Sequence, residues 1–366
     1  MKVLFRTLLV FIAASAFFLL PTQSHANSLN PQKEVLSSWL LTSKDKNQLD
    51  AIAKDFEIVS KTGNNFEIYV PHAKEQQFKK LAPRAVLKSQ DISRELNLAI
   101  KKDPNYLSGY RTFAQVQAAL QTLAAQHPQF VHLSQIGISD EGRPQWVLKL
   151  SDNAQNDEEE PELMITAATH GDEIITTETT LRFVEELVAG YGTNKRITNI
   201  IDNNEIFFIP VVNPDGFTKR ERYAAGRDPN RDYPWPEKEQ RVSVPCIDNL
   251  IKFFHSRNIV GSIDFHAFGE LVMYPWAYSR QAPDSADQLI FANLANQMSE
   301  INAYTAGQIS QVIYIAKGSS ADYYYWKNNT IAMAVELTRS KAPNSDQIPR
   351  ILDETREMTL RFLENF

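Results

Sequence analysis

The chain has 366 residues, 43% of them hydrophobic and 22% charged, with 38 basic against 44 acidic residues. That composition suits a globular protein with a substantial core, long enough for one large domain and a small one. The acidic balance argues against nucleic acid or an anionic membrane as partner, and the single cysteine, Cys246, rules out an internal disulfide and a cysteine-built zinc ribbon.

Residues 1–26, MKVLFRTLLVFIAASAFFLLPTQSHA, read as a secretory signal peptide: Lys2 and Arg6, an apolar stretch, then Ser24-His25-Ala26 as a small-x-small cleavage site. Its removal leaves 36 basic residues against 44 acidic, a net charge of −8. No later stretch approaches the roughly 20 apolar residues a membrane helix needs. An exported, disulfide-free chain fits a bacterial periplasmic or secreted protein, expected to be a monomer and free of the membrane once the signal is cut.

Residues 27–103 hold a small unit and a linker. SSWLLTS predicts a strand, KDKNQLDAIAKDF a helix, EIVSKTGNNFEIYVP two strands around a Gly-Asn-Asn turn, AKEQQFKKLA a helix and AVLKSQDI a closing strand. The order βαββαβ is the ferredoxin-like α+β pattern. KKDPNYLSGY lacks periodicity and reads as the linker. The acidic stretch DNAQNDEEEP, 152–161, reads as a solvated connection.

Over residues 104–366 helices and strands alternate. TFAQVQAALQTLAAQHP is helical; QWVLKLS and ELMITAAT are strands; TTETTLRFVEELVAGYG is a helix with a glycine stop. EIFFIPVV, IVGSIDF and TIAMAVEL are further strands, separated by CIDNLIKFFHSRN and ADQLIFANLANQMSEI and closed by IPRILDETREMTLRFLENF as helices. Continuous apolar strands between helices predict an α/β domain, with a mixed, mostly parallel sheet covered on both faces.

The strand ends carry the chemistry. ELMITAAT runs into His170-Gly-Asp-Glu173, EIFFIPVV into Asn213-Pro-Asp-Gly216, IVGSIDF into His266, and TIAMAVEL holds Glu336. Open α/β sheets bind ligands at the carboxyl ends of their strands. Taken singly, His170 and Glu173 could cap a helix and His266 could be a core histidine. Four strands delivering such groups to one edge favour a metal site. Two imidazoles and one carboxylate leave a fourth position for water, as a catalytic zinc ion requires.

In order along residues 106–366, ISDEGRPQWVLKLS, His170-Gly-Asp-Glu173, NPDGF, GRDPNRDYP, DFHAFGELVMYPWAY, YIAKGSSADYYYW and AVEL resemble the motifs of the carboxypeptidase A-like zinc metallopeptidases. Residues 35–92 are similar, more loosely, to the propeptide of the digestive members. The resemblance implies one Zn2+ per chain on His170, Glu173 and His266, with Glu336 as general base. It implies an oxyanion-binding arginine among Arg220, Arg222 and Arg227, with Arg222 favoured by its place before YAAG. Asn230 and Arg231 correspond to the pair that grips a substrate's terminal carboxylate, and Tyr314, 22 residues before Glu336, to the mobile tyrosine.

Three positions depart from the digestive pattern: Asp172 stands for an arginine, Phe268 for a tyrosine and Asp232 for an asparagine. Ala321 occupies the specificity position, with Ser319 and Ala334 also small, so the substrate's last residue is expected to be neutral or apolar. The implied partner is a peptide with a free C-terminal carboxylate. Two alternatives remain: hydrolysis of γ-D-glutamyl–diaminopimelate bonds in murein peptides at the same site, and a non-catalytic binding protein on the same scaffold. Neither G-x-S-x-G nor HExxH occurs. Sequence leaves open whether residues 27–103 are removed or permanent.

Overall fold

Asp45 opens the first helix by accepting the backbone N–H groups of Asn47 and Gln48, donors that a helix start leaves unpaired. In the computed structural model, which describes residues 35–103 and 105–366, that helix is the second of six elements in the expected order. These are β1 (Leu36–Thr42), α1 (Lys46–Ala53), β2 (Glu57–Thr62), β3 (Asn65–Pro71), α2 (Glu75–Leu81) and β4 (Val86–Ser89). The strands lie in the order β2-β3-β1-β4, each antiparallel to its neighbour. Trp39 and Leu41 of β1 and Phe66, Ile68 and Val70 of β3 are buried with Phe78 of α2; the period of two puts each strand's set on one face. The signal-peptide expectation for residues 1–26 lies outside the described residues.

A seventh element, α3 (Ile92–Lys102), follows, its last two residues being the first two of the stretch expected as the linker. Ile92, Leu96 and Ile100 recur every fourth residue, and the Asp91 carboxylate caps the start by accepting from Arg94 N–H at 2.9 Å. None of the helix's residues is fully buried.

The large sheet follows through α4 (Phe113–Gln126), β5 (Val131–Ile138), β6 (Pro144–Leu150), β7 (Glu162–Ala167), α5 (Ile174–Gly190), α6 (Lys195–Ile201), β8 (Glu205–Ile209), α7 (Pro214–Lys219) and α8 (Pro245–His255). Then come β9 (Ile259–Ala267), β10 (Leu271–Tyr274), α9 (Ser285–Ser299), β11 (Thr305–Gln308), α10 (Ile309–Val312), α11 (Ser320–Asn328), β12 (Ile331–Leu337) and α12 (Ile348–Leu363). The strand order is β11-β10-β12-β9-β7-β8-β6-β5. The central β12, β9, β7 and β8 are parallel, while β10, β6 and β5 join antiparallel.

Every residue of β8 is buried, because helices cover both faces. Ile206 and Phe208 belong to the core beneath α5, α9 and α12; Phe207 and Ile209 belong to the core beneath α8. That second core continues into Trp39, Ile58 and Phe66 of the small sheet, so residues 35–366 pack as one compact unit. Among the described residues, no helix is long and apolar enough to cross a membrane.

Candidate metal centre and cleft

Beyond β7 the chain turns through Ala168 at φ 48 and brings His170 and Glu173 to the sheet edge ahead of α5. Gly171 is demanded there: a Cβ would stand 2.0 Å from the Gly216 carbonyl carbon and 2.2 Å from Phe217 N, a clash no rotamer relieves. β9 lies beside β7 and carries His266, and β12 sets Glu336 in register with His266. Parallel strands thus deliver three of the expected strand ends to one place. The fourth, Asn213 to Gly216, is structural: the Asn213 side chain accepts from Gly216 N–H and donates to the Tyr223 carbonyl, capping α7.

His170 and His266 point their Nδ1 atoms at each other, 3.1 Å apart. Glu173 Oε1 lies 2.8 Å from His170 Nδ1, and Oε2 lies 3.1 Å from His266 Nδ1. Behind them His170 Nε2 is 3.0 Å from Asp228 Oδ1, and His266 Nε2 is 3.0 Å from Asp264 Oδ2. Each rear carboxylate accepts an Nε2–H, which leaves both Nδ1 atoms with lone pairs facing each other and a carboxylate. Such crowding of buried lone pairs needs a cation. Donors on one tetrahedral zinc ion, with bonds of about 2.0–2.1 Å, stand roughly 3.3 Å apart, so this set fits zinc.

Asp228 and Asp264 escaped the sequence analysis. The signal was present: Asp264 lies two residues before His266, on the same face of β9. Asp264 also accepts from Thr166 Oγ1 at 2.8 Å, Thr169 Oγ1 at 3.1 Å and Ser320 Oγ at 2.6 Å. Outer carboxylates of this kind fix the ring orientation and raise ligand basicity. Asp264→Asn is expected to keep the fold and weaken zinc binding about 10–100-fold; competition with a zinc-sensing chelator measures it, and unchanged affinity would remove Asp264 from this role.

One pocket is lined by His170, His266, Glu336, Arg222, Asn230, Arg231, Tyr314 and Ala321, with Ser319 and Ala334. Glu336 Oε2 is buried without a hydrogen-bond partner among the described residues. Burial, followed by the charge of Glu173, pushes the Glu336 carboxyl up to about 7. Of the three arginines, Arg222 is the one in the pocket: Nε and Nη2 donate to Asp228 Oδ2 at 3.1 and 2.7 Å, and Nη1 to Glu173 Oε1 at 3.3 Å. Arg220 stacks on Phe217 and Arg227 is exposed. Arg231 Nη2 donates to Tyr314 Oη at 3.0 Å. Gly318, at φ +82, lets the Tyr314 loop pass Arg231, where a Cβ would meet the Arg231 carbonyl at 2.6 Å.

The departures resolve locally. Asp172 pairs with Lys341 at 2.5 Å, and Asp232 accepts the N–H groups of Ser243 and Val244. The small sheet, whose sequence is loosely similar to the propeptide of the digestive members, reaches the cleft. Ile58, Val59, Ser60 and Lys61 of β2 line the same pocket, and Tyr314 Oη donates to the Ile58 carbonyl at 2.7 Å. The Glu57 carboxyl is raised to about 7 by burial and then by Asp228, against the pull of Arg231 and Arg222. Asp50 holds Arg280 at 2.6 Å and Ile315 N–H at 3.0 Å.

Residues 116–358 match a sequence profile described as zinc carboxypeptidase. The chain is 32% identical over 281 residues to a zinc carboxypeptidase of Saccharothrix mutabilis subsp. capreolus, covering 66% of this chain and 64% of that protein. It is 30% identical over 268 residues to carboxypeptidase A1 of Sus scrofa, covering 64% and 63%. The match thus spans less than two thirds of the length of these relatives. Among solved structures, carboxypeptidase A from Helicoverpa armigera superposes with a TM-score of 0.76 at 20% identity, over 90% of this chain and 97% of that one, a likeness of fold.

Proposed function

Since the chain belongs to the zinc carboxypeptidase family, we propose that it is a metallocarboxypeptidase that hydrolyses the C-terminal peptide bond of peptides. One observation carries this reading: a single pocket joins both imidazoles of the two-imidazole, one-carboxylate donor set to an unpartnered Glu336 oxygen and an arginine–asparagine–tyrosine group. When bound, a zinc ion supplies Lewis acidity toward water and the scissile carbonyl. Glu336 takes the water's proton and hands it to the departing amine. Arg222, with three of its five N–H donors engaged by acids, turns the remaining two toward the developing oxyanion.

Arg231 offers the planar fork that suits a carboxylate, with Asn230 and Tyr314 beside it. Ala321, Ala334, Leu271, Met273 and Ile309 form an apolar end to the pocket, suited to a neutral or bulky apolar last residue. A peptide panel tests this. Free-acid substrates ending in Leu or Phe should be cleaved, and their C-terminal amides at least about 10²-fold more slowly. Equal rates on acid and amide would overturn the carboxypeptidase assignment, and a preference for C-terminal Lys would overturn the apolar pocket. Murein tripeptide in the same panel separates the γ-D-glutamyl–diaminopimelate alternative, which would use the same groups.

Residues 35–103 act in this reading as a cover, because β2 walls the cleft that substrate needs and the Ile58 carbonyl holds the Tyr314 hydroxyl. Export to the periplasm or medium and a monomeric state complete the proposal, supported by the signal-like N-terminus and by a core that stands without disulfides.

A further inference from the structure

Asp172 lies between two zinc donors in the sequence, yet its side chain engages Lys341. Its Oδ2 accepts from Lys341 Nζ at 2.5 Å, while its Oδ1 is buried with no hydrogen-bond partner among the described residues. Lys341 stands in the loop after β12, and its carbonyl accepts the Ile175 N–H at 3.2 Å, which ties that loop to the first turn of α5. Both charges are thus fixed beside the metal centre, with side-chain exposures of only 14% for Lys341 and 16% for Asp172.

An aromatic ring from the small sheet packs against this pair. Lys341 Nζ stands 5.1 Å from the centroid of the buried Tyr69 ring. On β3, Tyr69 lies between Ile68 and Val70, whose side chains belong to the core, so its own leaves by the opposite face. Burial, opposed by the Lys341 charge, pushes the Tyr69 phenol up to about 12, and Asp172 and Arg222 also act on it. The ring therefore lies within reach of both the pair and the arginine assigned to the oxyanion. Neither Asp172 nor Lys341 lines the pocket that holds Arg231 and Tyr314. A peptide with its carboxylate on Arg231 and its scissile carbonyl at Arg222 carries its upstream residues out past Arg222, into the space that Tyr69 vacates when the cover leaves.

We propose that the Lys341–Asp172 pair is a specificity site for the residues upstream of the scissile bond, and that Tyr69 holds the place of an aromatic side chain of the substrate. This rests on the carboxypeptidase reading and adds the class of peptide it favours. A lysine cation shielded from water is attracted to the face of an aromatic ring. Asp172 Oδ1 offers an acceptor to a phenol O–H or an indole N–H, which Tyr69 leaves unmet. A buried acceptor without a donor is costly, so a substrate that supplies the donor gains over one that does not.

The test is an assay of the zinc-loaded protein, cut at the end of α3 by limited proteolysis, on two sets of free-acid peptides ending in Leu. In one set the penultimate residue is Tyr, Phe, Ala or Glu, and in the other the residue before it is. At one of the two positions Tyr should raise kcat/KM about 5–20-fold over Ala, with Phe between them. Lys341→Met should bring that ratio below about 2, whereas Lys341→Arg, whose guanidinium also stacks on rings, should keep it. The ratio is read within each protein, so a change in overall rate does not disturb it. If the single variant fails to fold, Asp172→Asn with Lys341→Met removes both charges together and should give the same low ratio. Cleavage without an aromatic preference, or a preference that survives Lys341→Met, would overturn the specificity site and leave the carboxypeptidase assignment standing. Failure to cleave any peptide would overturn both.

Discussion

Replacing Glu336 by glutamine is expected to leave about one zinc per chain and to lower kcat/KM by roughly 10³–10⁴-fold. The substitution keeps the shape and removes only the ability to accept a proton. Glu336 lines the pocket beside both histidines, but it is Glu173 that touches their Nδ1 atoms, so metal content should not fall. KM should change little, because the groups assigned to the terminal carboxylate, Asn230, Arg231 and Tyr314, are untouched. Metal analysis with kinetics on the same preparation gives both numbers; wild-type turnover would remove Glu336 from its assigned role, and loss of zinc would make it a ligand. The pH profile adds a check. Burial and the Glu173 charge push this carboxyl up to about 7, and a bound cation pulls it down. Activity should therefore fall on the acid side, with its limb at or below pH 7, and that limb should be lost in the glutamine variant.

Cutting the chain after Lys101 or Lys102, at the end of α3, is expected to raise peptidase activity about 100-fold. A cover favoured by about 3 kcal/mol leaves roughly 1% of molecules with an open cleft, and release makes all of them competent. Beside the apolar core it shares with the large sheet, specific polar contacts hold the cover. Asp50 binds Arg280 and Ile315 N–H, Lys46 donates to the Gln311 carbonyl at 2.9 Å, and Ile58 accepts from Tyr314. Asp50→Ala should loosen the cover and raise the activity of the uncut chain several-fold, without touching any group that meets substrate. Limited proteolysis followed by gel analysis and assay measures the first effect. If the uncut chain is already as active as the cut one, residues 35–103 are a permanent neighbour of an open site and the covering role is wrong.

The sequence by itself determined much of the centre. Strands of continuous apolar residues ending in His170, His266 and Glu336 could be placed because a buried parallel strand has a distinctive pattern and its carboxyl end has a fixed use. Residue type then limited the chemistry: two imidazoles and an acid suit zinc, and a planar arginine suits a carboxylate. Short elements such as β10, β11, α6 and α10 escaped, since four to seven residues are too few for a period to show. α3 escaped although Ile92, Leu96 and Ile100 recur every fourth residue.

Only the tertiary structure decided which groups act on which. Among Arg220, Arg222 and Arg227 the sequence favours Arg222 only by its place before YAAG; the turn after α7 sends Arg222 into the pocket, Arg220 onto Phe217 and Arg227 into solvent. Asp228 became the partner of His170 only when the turn before Asn230 brought it behind the ring, 58 residues away along the chain. The lining of the cleft by β2 is likewise a contact between segments distant in sequence. Periodicity and residue type are local properties that a chain carries openly, whereas a meeting of side chains depends on the register and crossing of whole elements, which no window of neighbouring residues contains.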